Sequence, residues 1–209
     1  MPKIGDESEA KIVSRETTAE ALAKFGELLR KWNPAINLVS QSSLASLETR
    51  HVVDSLQLLS LVPPKIDRWV DLGSGGGFPG IVVAIGLAES CASTEVHLIE
   101  ADLRKATFLR EAARQLGLNV TVHAKRVDKV HPMQADVVSA RALAPLSQLC
   151  GFAVRHMRAD GLGVFPKGAT FRSEIDQAME SWIFDWEAVP SKTEPYAAVL
   201  LLRNIRHVA

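Results

Sequence analysis

The chain has 209 residues, of which 47% are hydrophobic, so it can bury the core of one α/β domain with a modest extension. Its 24 Lys and Arg residues balance 24 Asp and Glu residues, so no overall basic field indicates a polyanionic partner. The charged N-terminus lacks the apolar stretch of a secretory signal, and the longest aliphatic run, 81–88, is too short to span a bilayer. We therefore expect a cytoplasmic protein that does not enter a membrane.

The cysteines and histidines give no sign of metal or redox chemistry. Cys91 and Cys150 lack CxxC spacing and are expected to be reduced thiols. The six histidines show neither HxH nor HExxH spacing, so no metal site is predicted.

Two helices are predicted before the first strand. Thr17 and Glu20 have the spacing of a capping box, and apolar residues then recur at helical spacing as far as Asn33, before Pro34. A second helix is predicted from about Leu47 to Leu61, ended by the two following prolines. We expect residues 1–66 to form an N-terminal helical extension and residues 67–209 to form the main domain.

In the main domain, short β-branched or aliphatic runs alternate with helical segments. The first five runs are RWVDLG, EVHLIE, NVTVHA, ADVVSA and GLGVFPK, with helices predicted near 79–90, 103–116, 144–157 and 171–181. This alternation predicts a parallel, doubly wound α/β sheet. The last two runs, WIFDWEAVP and YAAVLLLRNI, have no helix between them and predict an antiparallel hairpin at the sheet edge. The result is a mostly parallel seven-stranded sheet, the Rossmann-like architecture of class I S-adenosylmethionine (SAM)-dependent methyltransferases.

The loop VDLGSGGGFPG, Val70 to Gly80, follows the first strand and is predicted to approach a ligand closely. It contains a GxGxxG match, which in so glycine-rich a loop is a weak sign of a dinucleotide. Asp71 ends the strand, and a carboxylate pointing into the ligand crevice would repel a pyrophosphate. SAM carries a cationic sulfonium and an ammonium group and no phosphate, so the loop favours SAM over NAD.

Two further positions follow later strands. Glu100 closes the second strand, where a carboxylate can accept hydrogen bonds from both ribose hydroxyls, although this fits either cofactor. The polar turn at Val127 and Asp128 follows the third strand and is placed to receive adenine. Alone, each could be an ordinary surface feature.

Between Lys31 and about Ile205 the chain resembles the bacterial 16S ribosomal RNA guanine-N7 methyltransferases of the RsmG (GidB) type. The motifs that carry this resemblance are KWNPAINLVS, RHVVDSL, VDLGSGGGFPGI, LIEADLRKATFL, KRVD, SARALAPL, FPKG and AAVLLLRN. RHVVDS before the glycine loop and SARA after the fourth strand are the most specific of them.

The resemblance implies contacts to SAM from the glycine loop, from the adenine-side turn and, near the methyl group, from Arg141. With the positions argued above, the predicted cofactor site comprises Asp71, Gly73, Gly75, Phe78, Glu100, Val127, Asp128 and Arg141. Arg50, His51 and Lys167 fall in similar motifs on the same rim and are predicted RNA contacts. The implied partner is 16S ribosomal RNA or the small ribosomal subunit, and we expect a monomer.

Methylation at guanine N7 needs no general base, because N7 carries no hydrogen. The sequence agrees, since it has neither the (N/D/S)PP(Y/F/W) motif of exocyclic amine methylation nor a Pro-Cys nucleophile for carbon methylation. Arg141 is then expected to orient guanine or cofactor and not to move protons. Two alternatives are a dinucleotide-dependent oxidoreductase, which Asp71 disfavours, and a non-catalytic RNA-binding ribosome assembly factor on a methyltransferase fold.

Overall fold

The structure is a computed structural model that describes residues 17–40, 44 and 47–208. The first 16 residues of the predicted extension and the polar residues 41–43 of the predicted turn lie outside the described residues.

Helix α1 spans Thr18–Ile36 and begins at the predicted capping box. The Thr17 hydroxyl accepts a hydrogen bond from the Glu20 amide at 3.3 Å, and Glu20 accepts one from the Thr17 amide at 2.9 Å. The helix continues past Pro34, where the sequence predicted its end. The last helical turn forms although Pro34 has no N–H group to donate. Asn37, in the left-handed conformation, ends the helix by donating from its amide to the Asn33 carbonyl at 2.9 Å.

The second predicted helix is a composite, which we call α2. It comprises a π-helical turn (Leu47–Val52), an α-helical turn (Val53–Leu56) and a 3₁₀ turn (Gln57–Leu61). Its outer limits match the predicted ones.

The seven predicted strands form one sheet. They are β1 (Arg68–Leu72), β2 (Glu95–Ile99), β3 (Val120–His123), β4 (Ala135–Ala140), β5 (Met157–Lys167), β6 (Trp182–Pro190) and β7 (Ala198–His207). The strand order is β3-β2-β1-β4-β5-β7-β6. The first five strands pair in parallel, and β7 pairs antiparallel with both β5 and β6. The predicted mostly parallel sheet with a terminal antiparallel hairpin is confirmed.

Four helices connect the strands: α3 (Gly80–Ser90), α4 (Leu103–Gln115), α5 (Leu146–His156) and α6 (Phe171–Met179). Asp102 caps α4 by accepting hydrogen bonds from the amides of Arg104 at 2.8 Å and Lys105 at 3.3 Å.

The core has one hydrophobic cluster on each face of the sheet. Residues of α1 to α4 pack on one face around Phe25, Trp69 and Phe108. Residues of α5 and α6 pack on the other face around Leu146 and Phe165. Because α1 shares its cluster with α3 and α4, the helices before β1 are part of the same core as the sheet. The division at residue 66 stays a prediction.

The parallel strands place their carboxyl ends at one edge of the sheet, and the strand order reverses between β1 and β4. Ligand sites in doubly wound sheets form at this edge, beside the reversal. Within the described ranges, no helix is long and apolar enough to cross a membrane. In the same ranges, no group of three or more His, Cys, Asp or Glu residues is arranged to hold a metal ion.

Candidate active site

The glycine loop leaves β1 in a conformation that only glycine adopts easily. Gly73, Gly75 and Gly77 have φ angles of +65°, +52° and +90°. A Cβ atom on Gly73 would lie 2.5 Å from Cδ1 of Leu143, in the loop after β4. The amide of Gly73 donates to the Ile99 carbonyl at 2.8 Å, which joins the loop to the end of β2. The loop is thereby held tightly between the ends of β2 and β4.

A cavity of about 490 Å³ opens over this loop. We call it the cofactor cavity. Its lining includes Leu38, Val39, Gly73, Gly75, Phe78, Ile99, Glu100, Lys105, Val127, Asp128, Arg141 and Phe152. The structure therefore brings seven of the eight predicted cofactor residues together around one cavity.

Glu100 lies on the wall of the cofactor cavity, immediately after β2. Oε2 accepts a hydrogen bond from the Gly75 amide and Oε1 accepts one from the Asp102 amide, both at 2.8 Å. Each carboxylate oxygen has a second lone pair with which it can accept a further hydrogen bond. Glu100 is thus a fixed acceptor that also positions the glycine loop.

The turn after β3 also lines the cofactor cavity. It is a 3₁₀ turn, Val127–Lys129, in which Val127 is buried and Asp128 is exposed. Asp128 pairs with Arg126 at 3.1 Å and with Lys129 at 3.6 Å. The Val127 carbonyl is 3.1 Å from Nε2 of the buried His156 on α5, so α5 anchors the turn.

Asp71, the eighth predicted cofactor residue, does not line the cavity. The sequence predicted a carboxylate that points into the crevice, whereas the Asp71 side chain is fully buried beneath the loop. Ser139, its register partner on β4, donates from its hydroxyl to Oδ1 at 2.7 Å, and Oδ2 lies against Gly80 at the start of α3. Burial raises the pKa of Asp71 to about 6, although the hydrogen bond from Ser139 opposes the shift.

Arg141 follows β4 and packs between two neighbours. Its Cζ atom lies 5.3 Å from the centroid of the Phe78 ring, and its Nη1 atom is 3.4 Å from Oδ2 of Asp54 on α2. Burial lowers the pKa of Arg141, and the negative charge of Asp54 opposes this shift. An arginine remains cationic at neutral pH, so the structure fixes a positive charge at the end of β4.

A second cavity, of about 610 Å³, adjoins the first. We call it the substrate cavity. Residues 141–144 line both cavities and form their common wall. The rest of its lining includes Asp54, Pro166, Lys167, Glu174, Ser191, Glu194 and Ala197. Two adjoining cavities that share one wall suit the transfer of a group between two bound molecules.

Comparisons with known proteins agree with this arrangement. Residues 18–200 match the GidB family, described as rRNA small subunit methyltransferase G. The protein of that name from Cereibacter sphaeroides is 50% identical over 201 residues, which cover 96% of each chain. Its namesake from Ruegeria sp. is 48% identical over 196 residues, covering 94% of this chain and 95% of the relative.

The chain belongs to the GidB family. As a member, it is a SAM-dependent ribosomal RNA methyltransferase. The fold agrees with that of a SAM-dependent methyltransferase from Aquifex aeolicus, at a TM-score of 0.59 and 14% identity, covering 85% of this chain and 97% of that one.

The residues of the cofactor cavity fit SAM by their chemistry. The fixed carboxylate of Glu100 suits a diol, and the apolar side chains of Ile99 and Val127 suit the faces of an adenine ring. No lysine or arginine lies within the glycine loop to neutralise a pyrophosphate. The cations of the cavity lie on its other walls, at Lys105, Lys125, Arg126 and Arg141.

The three predicted RNA contacts have different surroundings. Arg50 is on the rim with 57% of its side chain exposed, and it pairs with Glu194. Lys167 is only 10% exposed and donates to the Ala144 carbonyl at 2.9 Å and to Glu174 at 2.7 Å. The structure thus places Lys167 as a support for the common wall, and its contact with RNA stays a prediction.

His51 packs inside the site. Its ring centroid is 5.3 Å from that of Phe78, which also contacts Arg141. Burial, followed by the positive charges of Arg141 and Arg50, lowers the pKa of His51 to about 4, so the ring is neutral at pH 7. His51 helps to fix Phe78, and its predicted contact with RNA is untested.

Two cavity residues that the sequence did not predict come from the segment that follows α1. Leu38 and Val39 line the cofactor cavity, and the Val39 amide donates to Oδ1 of the buried Asn33 at 2.9 Å. A Cβ atom on Gly76 would lie 3.0 Å from the Leu38 carbonyl oxygen. The motif NPAINLV contained the signal, because an asparagine on each side of the last helical turn is typical of a capped, ordered helix end.

Proposed function

We propose that the protein transfers the methyl group of SAM to N7 of a guanine in 16S ribosomal RNA, by direct in-line displacement without a general base. One observation carries the proposal. Among the described residues, every carboxylate that lines the substrate cavity is paired with a cation: Asp54 with Arg141, Glu174 with Lys167, and Glu194 with Arg50. In the proposed reaction these carboxylates hold cations and accept no proton, because the lone pair of N7 lies in the plane of the guanine ring and attacks without the loss of a proton.

The proposed roles divide between the two cavities. Glu100 would accept from the ribose hydroxyls, Val127 and Asp128 would border the adenine, and Gly73, Gly75 and Phe78 would form the floor, which buried Asp71 supports from below. When bound, SAM supplies an electrophilic methyl group on a sulfonium. The common wall, which begins at Arg141, would hold the guanine beside the methyl group and exclude water.

Catalysis on this basis is a matter of positioning. Holding two reactants in a reactive geometry is worth roughly 7–11 kcal/mol in favourable cases. Arg141 suits this role because it lies over the Phe78 ring and beside Asp54. It would orient the base through hydrogen bonds without giving up a proton.

The RNA-facing surface would extend from the rim of the substrate cavity. Guanine N7 lies on the major-groove edge, which side chains cannot reach in an A-form helix, so the target must be unstacked or in a loop. Arg50 on the rim, together with Lys125 and Arg126 at the cofactor cavity, would contact phosphates. In this proposal the protein acts as a monomer on the small ribosomal subunit in the cytoplasm.

The test is to identify the methylated atom. Small ribosomal subunits from cells that lack the gene are incubated with the protein and SAM, and the product nucleoside is analysed by mass spectrometry and by borohydride–aniline cleavage. We expect 7-methylguanosine at a single position and cleavage of the RNA there. A methylated product that resists cleavage, or no product from a protein that binds SAM, would contradict the proposal.

A further inference from the structure

Asp54 and Arg141 place an acceptor and a donor side by side in the substrate cavity. Both residues line it, with 15% and 19% of their side chains exposed. Arg141 Nη1 is 3.4 Å from Asp54 Oδ2, which is long for a charged hydrogen bond. The pair is therefore loosely joined and can hydrogen-bond to a third group.

The two oxygens of Asp54 have separate duties. Oδ1 accepts hydrogen bonds from Gln57 at 2.6 Å, Thr193 at 3.3 Å and Ser191 at 3.4 Å, which hold the carboxylate in place. Among the described residues, Arg141 is the one hydrogen-bond partner of Oδ2. The structural contacts thus leave Oδ2 with lone-pair capacity beside the guanidinium.

We propose that Arg141 and Asp54 together read the O6 and N1–H groups of the target guanine and make the enzyme selective for guanine over adenine. This inference rests on the proposed function. Guanine presents an acceptor, O6, next to a donor, N1–H, which matches a guanidinium next to a carboxylate. Adenine presents the reverse order, an amino group at C6 and an acceptor at N1. It would place donor against donor and acceptor against acceptor.

The position of O6 also agrees with transfer to N7. O6 and N7 lie on the same edge of guanine. A base whose O6 meets Arg141 therefore turns N7 toward the wall that the two cavities share, since Arg141 is the first residue of that wall.

Nucleotide competition directly tests the proposed recognition of guanine by Arg141 and Asp54. Methylation of small subunits that lack the modification is inhibited with guanosine, inosine or adenosine 5′-monophosphate, with SAM saturating so that adenine does not compete at the cofactor cavity. Inosine monophosphate keeps O6 and N1–H but lacks the 2-amino group. We expect guanosine and inosine monophosphates to inhibit about tenfold or more better than adenosine monophosphate, as for one well-formed pair of hydrogen bonds to a base.

The variant Asp54→Asn keeps the shape of the side chain and replaces the acceptor Oδ2 with a donor. Its amide oxygen can keep the 2.6 Å bond from Gln57, so its NH₂ group takes the place of Oδ2. We expect guanosine and adenosine monophosphates to inhibit this variant about equally. Its affinity for SAM, measured by calorimetry, is expected to equal that of the wild type.

Ser191→Ala is the matched control for a purely structural role of Asp54. It removes a contact to Oδ1, and it also removes the acceptor for the amides of Thr193 and Glu194. We expect it to lower the rate without changing the nucleotide preference. Equal inhibition of the wild-type protein by the three nucleotides, or an unchanged preference in Asp54→Asn, would overturn the reading of the base, even if N7 methylation is established.

Discussion

Arg141 stacks on Phe78, with 5.3 Å between the guanidinium carbon and the ring centroid, and so connects the loop after β4 to the glycine loop after β1. His51 packs on the same ring at 5.3 Å. One phenylalanine thus packs against both the cation and the imidazole ring at the junction of the two cavities. This contact requires a planar group with several donors, because a lysine ammonium cannot stack on the ring or donate in one plane.

We therefore expect Arg141→Lys to slow methyl transfer although the charge is kept. The loss should be about tenfold to a hundredfold in single-turnover rate, comparable to one charge-assisted hydrogen bond. Arg158→Lys is the control, because Arg158 pairs with Asp160 at 2.8 Å at the opposite end of the sheet. A rate for Arg141→Lys equal to that of the control would remove Arg141 from the positioning of the base.

Glu100 governs the affinity for SAM in our assignment. Glu100→Ala should weaken binding by roughly 1.5–3 kcal/mol for each charged hydrogen bond lost to the ribose, as measured by calorimetry. The amides of Gly75 and Asp102 also lose their acceptor, so Glu100→Gln, which keeps one acceptor oxygen, should fall between wild type and Ala. Glu95→Gln, at the exposed start of β2, should bind as wild type does. Unchanged affinity in Glu100→Ala would show that another group holds the ribose.

Asp71 should make stability depend on pH. Its pKa is about 6 in the folded chain and 3.8 in the unfolded chain, so folding takes up a proton between these pH values. The contribution to the free energy of unfolding is on the order of 3 kcal/mol. The contribution of protonated Asp71 is complete below pH 4 and is lost as the pH rises through 6. Asp71→Asn cannot titrate, so the unfolding free energy of wild type minus that of the variant should fall over this window in urea titrations. Asp176→Asn, at an exposed position on α6, is the control for the same substitution away from the buried site.

Arg50 offers a test of the RNA surface. If it contacts one phosphate of unpaired RNA, Arg50→Ala should lower the slope of log affinity against log salt by about 0.7. Arg172→Ala, an exposed residue on α6, is the control. A slope equal to that of wild type would mean that Arg50 serves only its ion pair with Glu194.

The sequence predicted local features well because they depend on neighbouring residues. The capping box at Thr17, the glycine loop and the acid that ends β2 could all be read from spacing. The burial of Asp71 could not, because it depends on Ser139, which β4 brings alongside from 68 residues away. Nor could the pairing of Asp54 with Arg141, separated by 87 residues. Spacing predicted which residues stand at the sheet edge, but only packing decides which of them face a cavity.

The dependence of the chemical step on pH is the sharpest test of catalysis without a base. At saturating SAM and RNA, single-turnover rates should be nearly constant from about pH 7 to 9. Burial holds the pKa of His51 at about 4, so this ring stays neutral throughout, and Arg141 stays cationic. Below about pH 6, protonation of Asp71 removes a buried negative charge beneath the glycine loop, so the affinity for SAM is expected to fall before the chemical step changes. Asp71→Asn should then abolish this acid limb. A rise in the single-turnover rate with one ionisation between pH 7 and 9 would instead require a proton acceptor, and the methylated atom would then not be N7.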